Sequence, residues 1–289
     1  IYSHTTYAET EGALPKVEID KWSGLLLELE SQNLLERYRW IFEDSHVNIV
    51  EVDKLHLDWK DAFERIRIYK HNAITEIEQL HGFEGVCQFA KMVKCPNEVG
   101  ESYAYSANDD TYKRVLNILL YDRHEAIINF TKGFFSHYTF RNGINSIIPI
   151  LCSLDFDKYK EVFVIPMTVM PCACREMWNY IDTLPKDIQN EYWTNITVGF
   201  IYEDESVFLI KKLIEYKRYD KALAIISHSY KKTNIPADVI EETIIGIINI
   251  ADSNVLSGMQ YELAKVVYLL DKREDVNLQT LYSIEVLLY

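Results

Sequence analysis

Residues 58–81 read DWKDAFERIRIYKHNAITEIEQLH, and this stretch decides the fold class. Trp59, Phe63, Ile66, Ala73, Ile74, Ile77 and Leu80 recur at steps of three and four, while Lys60, Glu64, Arg67 and Glu78 take other faces, which predicts a long amphipathic helix. Gly82 follows as a helix stop. FEGVCQFAKMVK then restarts the period until Cys95-Pro96 ends it, so two helices meet at a tight turn.

The pattern continues on both sides. NDDTYKRVLNILLY precedes DRHEAIINFTKGFFSHYTF, where Asp122 and Glu125 have capping-box spacing, and Arg141-Asn142-Gly143 makes the next break. GINSIIPILCSL carries Pro149, which is expected to kink it or confine it to one end, and DFDKYKEVFVI runs to Pro166 and Pro171. Downstream, Pro185 and Pro236 suit helix starts, and Ser257 with Gln260 again has capping-box spacing. VNLQTLYSIEVLLY reads as a last helix, and no β alternation intervenes. Helices joined by short connections predict an all-α chain packed as sequential antiparallel pairs, and its length favours an α-solenoid, a right-handed superhelix, over a single bundle. The expected organisation is an irregular segment over 1–16 and two continuous helical-repeat halves, 17–165 and 166–289.

The bulk composition agrees. A chain of 289 residues with 48% hydrophobic residues buries a core without disulfide or metal support, and ten Gly and seven Pro are few for a turn-rich sandwich or barrel. Its 44 Asp+Glu against 30 Lys+Arg give a net charge of −14, which disfavours a nucleic-acid role. Cys87, Cys95, Cys152, Cys172 and Cys174 sit in apolar stretches, which predicts reduced thiols and a cytoplasmic home. The apolar run over 162–174 holds two prolines and falls short of the roughly 20 residues that cross a bilayer, so no membrane partner is expected.

Residues 213–226, LIEYKRYDKALAII, resemble the turn and second-helix start of tetratricopeptide-like repeats through Tyr219, Asp220, Ala222 and Leu223. HEAT-like packing stays open beside it. RYRWIFE, CPNEVG, LPKDIQNEYW and YDKALAII, in this order, resemble helical-repeat regions of very large bacterial proteins. That resemblance implies a scaffold or sensor within a multidomain protein, in some cases in phage defence, and fits a fragment that begins at Ile1.

No side-chain pattern advertises chemistry. Cys172 and Cys174, with Met170 and Met177 nearby, are one residue apart and read as core, since zinc spacing separates paired cysteines by two. His46, His56, His71, His81, His124, His137 and His228 are scattered, and Asp122-Arg123-His124-Glu125 reads as a capped helix start. Asp238, Glu241 and Glu242 complement the positive end of a helix. Phosphate-loop, dinucleotide, nucleophile-elbow and kinase signatures are missing, so no catalytic residue, metal ligand or cofactor is assigned. The candidate binding surface is the basic run Lys211, Lys212, Lys217, Arg218, Lys221, Lys231 and Lys232, with Tyr216, Tyr219 and Tyr230 interleaved. Trp40, Trp59, Trp178 and Trp193 are expected to anchor the core. The expected partner is another protein or other domains of the same polypeptide, in an oligomeric state the sequence leaves open. An enzyme built from sequence-distant residues and a nucleic-acid-binding repeat are the alternatives.

Overall fold

The computed structural model describes residues 14–29, 31, 33–44, 47, 49, 58–168, 175–198, 205–229, 235–250 and 258–273, together with 276, 282 and 286. Every regular element among them is helical: fifteen α-helices and one 3-10 turn. The all-α class predicted by the 3.6-residue period therefore holds for the described residues. The chain separates into two compact units, residues 1–143 and 144–289. The division falls at Gly143, whose φ of 76° and N–H bond to the Thr139 carbonyl close the preceding helix.

The first unit opens with α1 (Lys16–Leu29) and α2 (Leu34–Arg39), the latter capped by Asn33 Oδ1, which accepts the Leu35 N–H at 3.0 Å. A 3-10 turn, Trp40–Phe42, buries Ile41 and Phe42. The deciding stretch forms α3 (Trp59–Met92), capped by Asp58 Oδ1, which accepts the N–H groups of Lys60 and Asp61. Gly82 breaks it at φ 68°, ψ −175°, so two helical segments meet there as the period predicts. The core-facing part of the stripe is shorter than predicted. Lys70, Ala73, Ile74 and Ile77 are buried, whereas Trp59, Phe63 and Leu80 are 68%, 50% and 66% exposed.

Pro96 does more than end α3. It is the first residue of α4 (Pro96–Ala104), a helix the sequence reading passed over, in which the missing proline N–H costs nothing. Two further helices follow, α5 (Asp109–Ile118) and α6 (Glu125–Asn142). The cap of α6 also differs from expectation: His124 is its N-cap and Nδ1 accepts the Ala126 N–H. Asp122 instead accepts the His124 N–H and pairs with Lys91 at 2.6 Å, which holds its carboxyl below the usual carboxylate range.

The centre of this unit is the crossing of α4 over α6, made at Gly100 and Gly133. A Cβ built on Gly100 falls 2.7 Å from the Phe134 nitrogen and closer still to the Phe130 carbonyl oxygen. One built on Gly133 falls 2.7 Å from the Asn97 carbonyl carbon. Backbone meets backbone here, and Phe130, Phe134 and Tyr103 pack around the contact with ring centroids 5.9 to 6.0 Å apart.

The second unit holds α7 (Ile144–Cys152, with Pro149 inside it), the single turns α8 (Phe156–Tyr159) and α9 (Ile165–Thr168), α10 (Arg175–Asp182) and α11 (Lys186–Asn195). It continues with α12 (Ser206–Glu215), α13 (Tyr219–Ser229), α14 (Ala237–Ile250) and α15 (Gln260–Asp271). Pro185 stands one residue before α11, and buried Gln189 donates to the carbonyls of Asp182 and Leu184 to hold the α10–α11 turn. Trp178 and Trp193 are fully buried with centroids 6.1 Å apart, as expected of core anchors. Trp40 and Trp59 are not core. Trp40, 48% exposed, shares a tight turn with the buried Ile41 and Phe42, and Trp59 is the first residue of α3.

Candidate functional site

The predicted basic run resolves into side chains with separate tasks. Arg218 donates Nη1 to the carbonyls of Trp193 and Thr194, so it satisfies the C-terminal end of α11, and its Nε lies 3.8 Å from Asp220. Lys212 pairs with Asp182 at 3.3 Å and Glu215 at 3.5 Å and lies 5.7 Å from the Trp193 ring centroid. Lys221 pairs with Asp220 at 3.5 Å. Lys217 sits at φ 57° one residue beyond the C-cap of α12, where its N–H bonds the Ile214 carbonyl and the Arg218 N–H bonds the Leu213 carbonyl. Lys211 and Lys217 are exposed. Lys231, Lys232 and Tyr230 lie outside the described residues, as do Cys172, Cys174, His46 and His56.

Cys87 is buried, and burial pushes its thiol up to about 12, away from nucleophilic use. Among the described residues, no group of three or more His, Cys, Asp or Glu side chains is placed to hold a metal ion. No described helix is long and apolar enough to cross a membrane.

The densest polar chemistry lies in the first unit, on a face of α3 turned to α4, α5 and α6. Glu64, Arg67, Lys70, His71 and Glu78 follow one another at helical steps, and each meets a named partner. The Tyr105 hydroxyl donates to Glu64 at 2.7 Å, and Lys70 Nζ, 4% exposed, pairs with Glu98 at 3.0 Å. Burial, with Glu98 nearby, raises the Glu101 carboxyl to about 6. Arg67 Nη2 lies 3.4 Å from His137 Nδ1. A guanidinium only donates, so that ring nitrogen accepts and the proton sits on Nε2, which is buried without a partner. Burial first, then Arg67 and Arg141, lowers the His137 imidazole to about 4, and the ring is neutral at pH 7.

Beside this row a cleft of about 120 Å³ opens between α3 and the α4–α5 turn. His71, Thr75, Glu78, Tyr103, Ser106 and Thr111 supply its polar lining. The Tyr103 hydroxyl donates to Glu78 Oε1 at 2.6 Å, and Arg114 Nη2 reaches the same oxygen at 2.6 Å. Burial and the Glu78 carboxylate push the Tyr103 phenol up, so it stays protonated. His71 Nδ1 is 3.0 Å from the Ser102 carbonyl, and the ring lies tilted against Tyr105 with centroids 4.9 Å apart.

Sequence reasoning missed this cleft. His71, Thr75 and Glu78 stand four and three residues apart on α3, a polar stripe beside the apolar one. Nothing in that spacing announces α4, whose Tyr103 lines the cleft and whose Ser102 carbonyl meets His71. Comparison with protein-family models, with characterised proteins and with solved structures finds no match for this chain.

Proposed function

We propose that this chain is a protein-interaction module, an α-solenoid of antiparallel helix pairs that serves as a scaffold or sensor alongside other domains. The observation that carries this reading is the pair Trp59 and Phe63, 6.3 Å apart edge to face and 68% and 50% exposed at the start of α3. They stand four residues apart on a helix whose next turns bury Lys70, Ala73, Ile74 and Ile77, so one turn of large aromatic surface extends past the covered part of the helix. Exposed aromatic residues beside Arg are the composition of binding hot spots, and Arg67, exposed and one helical turn on from Phe63, supplies that setting. The solenoid reading draws support from α12, α13 and α14, each packed on the next, with Ala222 and Leu223 of the repeat-like stretch buried.

The test is affinity enrichment from the native host followed by quantitative mass spectrometry, with wild type, a Trp59→Ser/Phe63→Ser variant, and a control at Tyr121, which is 81% exposed. A protein enriched by wild type and the control, and weakened about 30-fold or more by the double variant, is the expected result. Equal recovery by all three chains overturns the reading.

A further inference from the structure

We infer that the cleft between α3 and the α4–α5 turn is a binding site for a primary ammonium group, either a short alkylamine or the tip of a lysine side chain. The inference rests on where the protons of the lining groups are already committed. His71 Nδ1 faces the Ser102 carbonyl at 3.0 Å; a carbonyl only accepts, so Nδ1 donates and Nε2 is the ring nitrogen left to accept. The Thr75 hydroxyl donates to the His71 carbonyl at 2.9 Å, and the Thr111 hydroxyl donates to Asn108 Oδ1 at 3.0 Å. Both keep only acceptor capacity. Tyr103 and Arg114 both donate to Glu78 Oε1, which leaves Glu78 Oε2 as a fourth acceptor.

Of the lining residues, Glu78, His71, Thr75 and Thr111 each thus keep an acceptor, Ser106 can take either role, and none is Lys or Arg. A group with several N–H donors and a positive charge answers that inventory, and an ammonium has three. Charge at the rim agrees. The cleft takes Ser106 and Ala107 just beyond the C-terminal, negative end of α4, and the positive end of α5 is already met by Asn108 Oδ1 and by Asp109 and Asp110. Arg114 approaches the other Glu78 oxygen and lies 4.8 Å from the Phe83 ring centroid, outside the lining. A cleft of about 120 Å³ has room for an ammonium with a few methylenes.

The experiment is a titration of the isotope-labelled chain with ethylammonium chloride at constant ionic strength, followed by amide chemical shifts. Tetramethylammonium and acetate serve as parallel titrants, and an N-acetyl-lysine amide arm distinguishes a lysine tip from a free amine. Saturable shifts at Ser106, Ala107 and Thr111 are expected, with a Kd no tighter than about 0.5 mM for three heavy atoms. Glu78→Gln is expected to weaken binding about tenfold. Thr75→Val, which keeps shape and leaves the Glu78 contacts in place, is expected to weaken it roughly threefold and holds the test should Glu78→Gln disturb folding. Absent saturation with ethylammonium, equal shifts with tetramethylammonium, or shifts with acetate in its place overturn the inference. It stands apart from the Trp59–Phe63 reading, which uses other residues and another assay.

Discussion

Gly100→Ala tests the helix crossing that organises the first unit. A methyl group at this position falls 2.7 Å from the Phe134 nitrogen and 2.9 Å from the Phe130 carbonyl carbon, and its obstacle is backbone, which cannot rotate aside. Relief requires α4 and α6 to separate by roughly 1.5 Å, enough to forfeit much of the dispersion energy of the atoms facing each other across the crossing. Overpacking of this kind costs about 3 kcal/mol at the upper end of its usual range. Alanine in a helix interior returns about 1 kcal/mol relative to glycine, so a net loss of roughly 2 kcal/mol is expected. Gly24 in α1 is the control, because a Cβ there has no atom within 4 Å; Gly24→Ala is expected to stabilise by about 0.5–1 kcal/mol. Urea and thermal denaturation followed by circular dichroism read both, with a drop of about 6 °C in Tm for Gly100→Ala in a unit of this size. A Gly100→Ala chain as stable as wild type, or stabilised in step with Gly24→Ala, refutes the crossing.

Two groups of the same unit are expected to give stability opposite dependences on pH. His137 has its folded value lowered to about 4, so the unfolded chain takes up the proton first and stability is lost as pH falls from about 6.5 toward 4, by about 2–3 kcal/mol. Glu101 is raised to about 6, so the folded chain takes up the proton first and stability is gained as pH falls from about 6 toward its unfolded value. Urea midpoints between pH 4 and 7 should therefore fall more steeply in Glu101→Gln and flatten or invert in His137→Gln; matching slopes in the two variants contradict the assignment. At Lys217, whose φ of 57° closes a Schellman turn without glycine, Lys217→Gly is expected to stabilise the second unit by about 1 kcal/mol, read as a rise in urea midpoint. A fall in midpoint would show that the lysine side chain contributes more than its backbone conformation costs.

The helices were legible because burial repeats at 3.6 residues, and the Gly82 break because glycine there takes a φ that other residues rarely adopt. The ends of the buried stripe were not. Trp59 and Leu80 share the period of Ile74 and Ile77 and have the same apolar character, yet both are exposed. Those limits are a tertiary quantity. The separate tasks within the basic run were hidden for a related reason: Arg218 and Lys212 look alike in sequence, yet one ends its reach on the carbonyls closing α11 and the other between two carboxylates and a tryptophan face. The cleft was hidden most deeply, because its polar residues come from three helices, α3, α4 and α5, that only packing brings together. In sequence, Gly100 and Gly133 read as residues that weaken a helix. In space they let α4 approach α6 at backbone distance, which fixes where Ser102 and Tyr103 stand relative to His71 and Glu78. A substitution that pushes α4 away from α6 therefore disturbs the cleft as well as the core, because Tyr103 both packs on the crossing and lines the cleft.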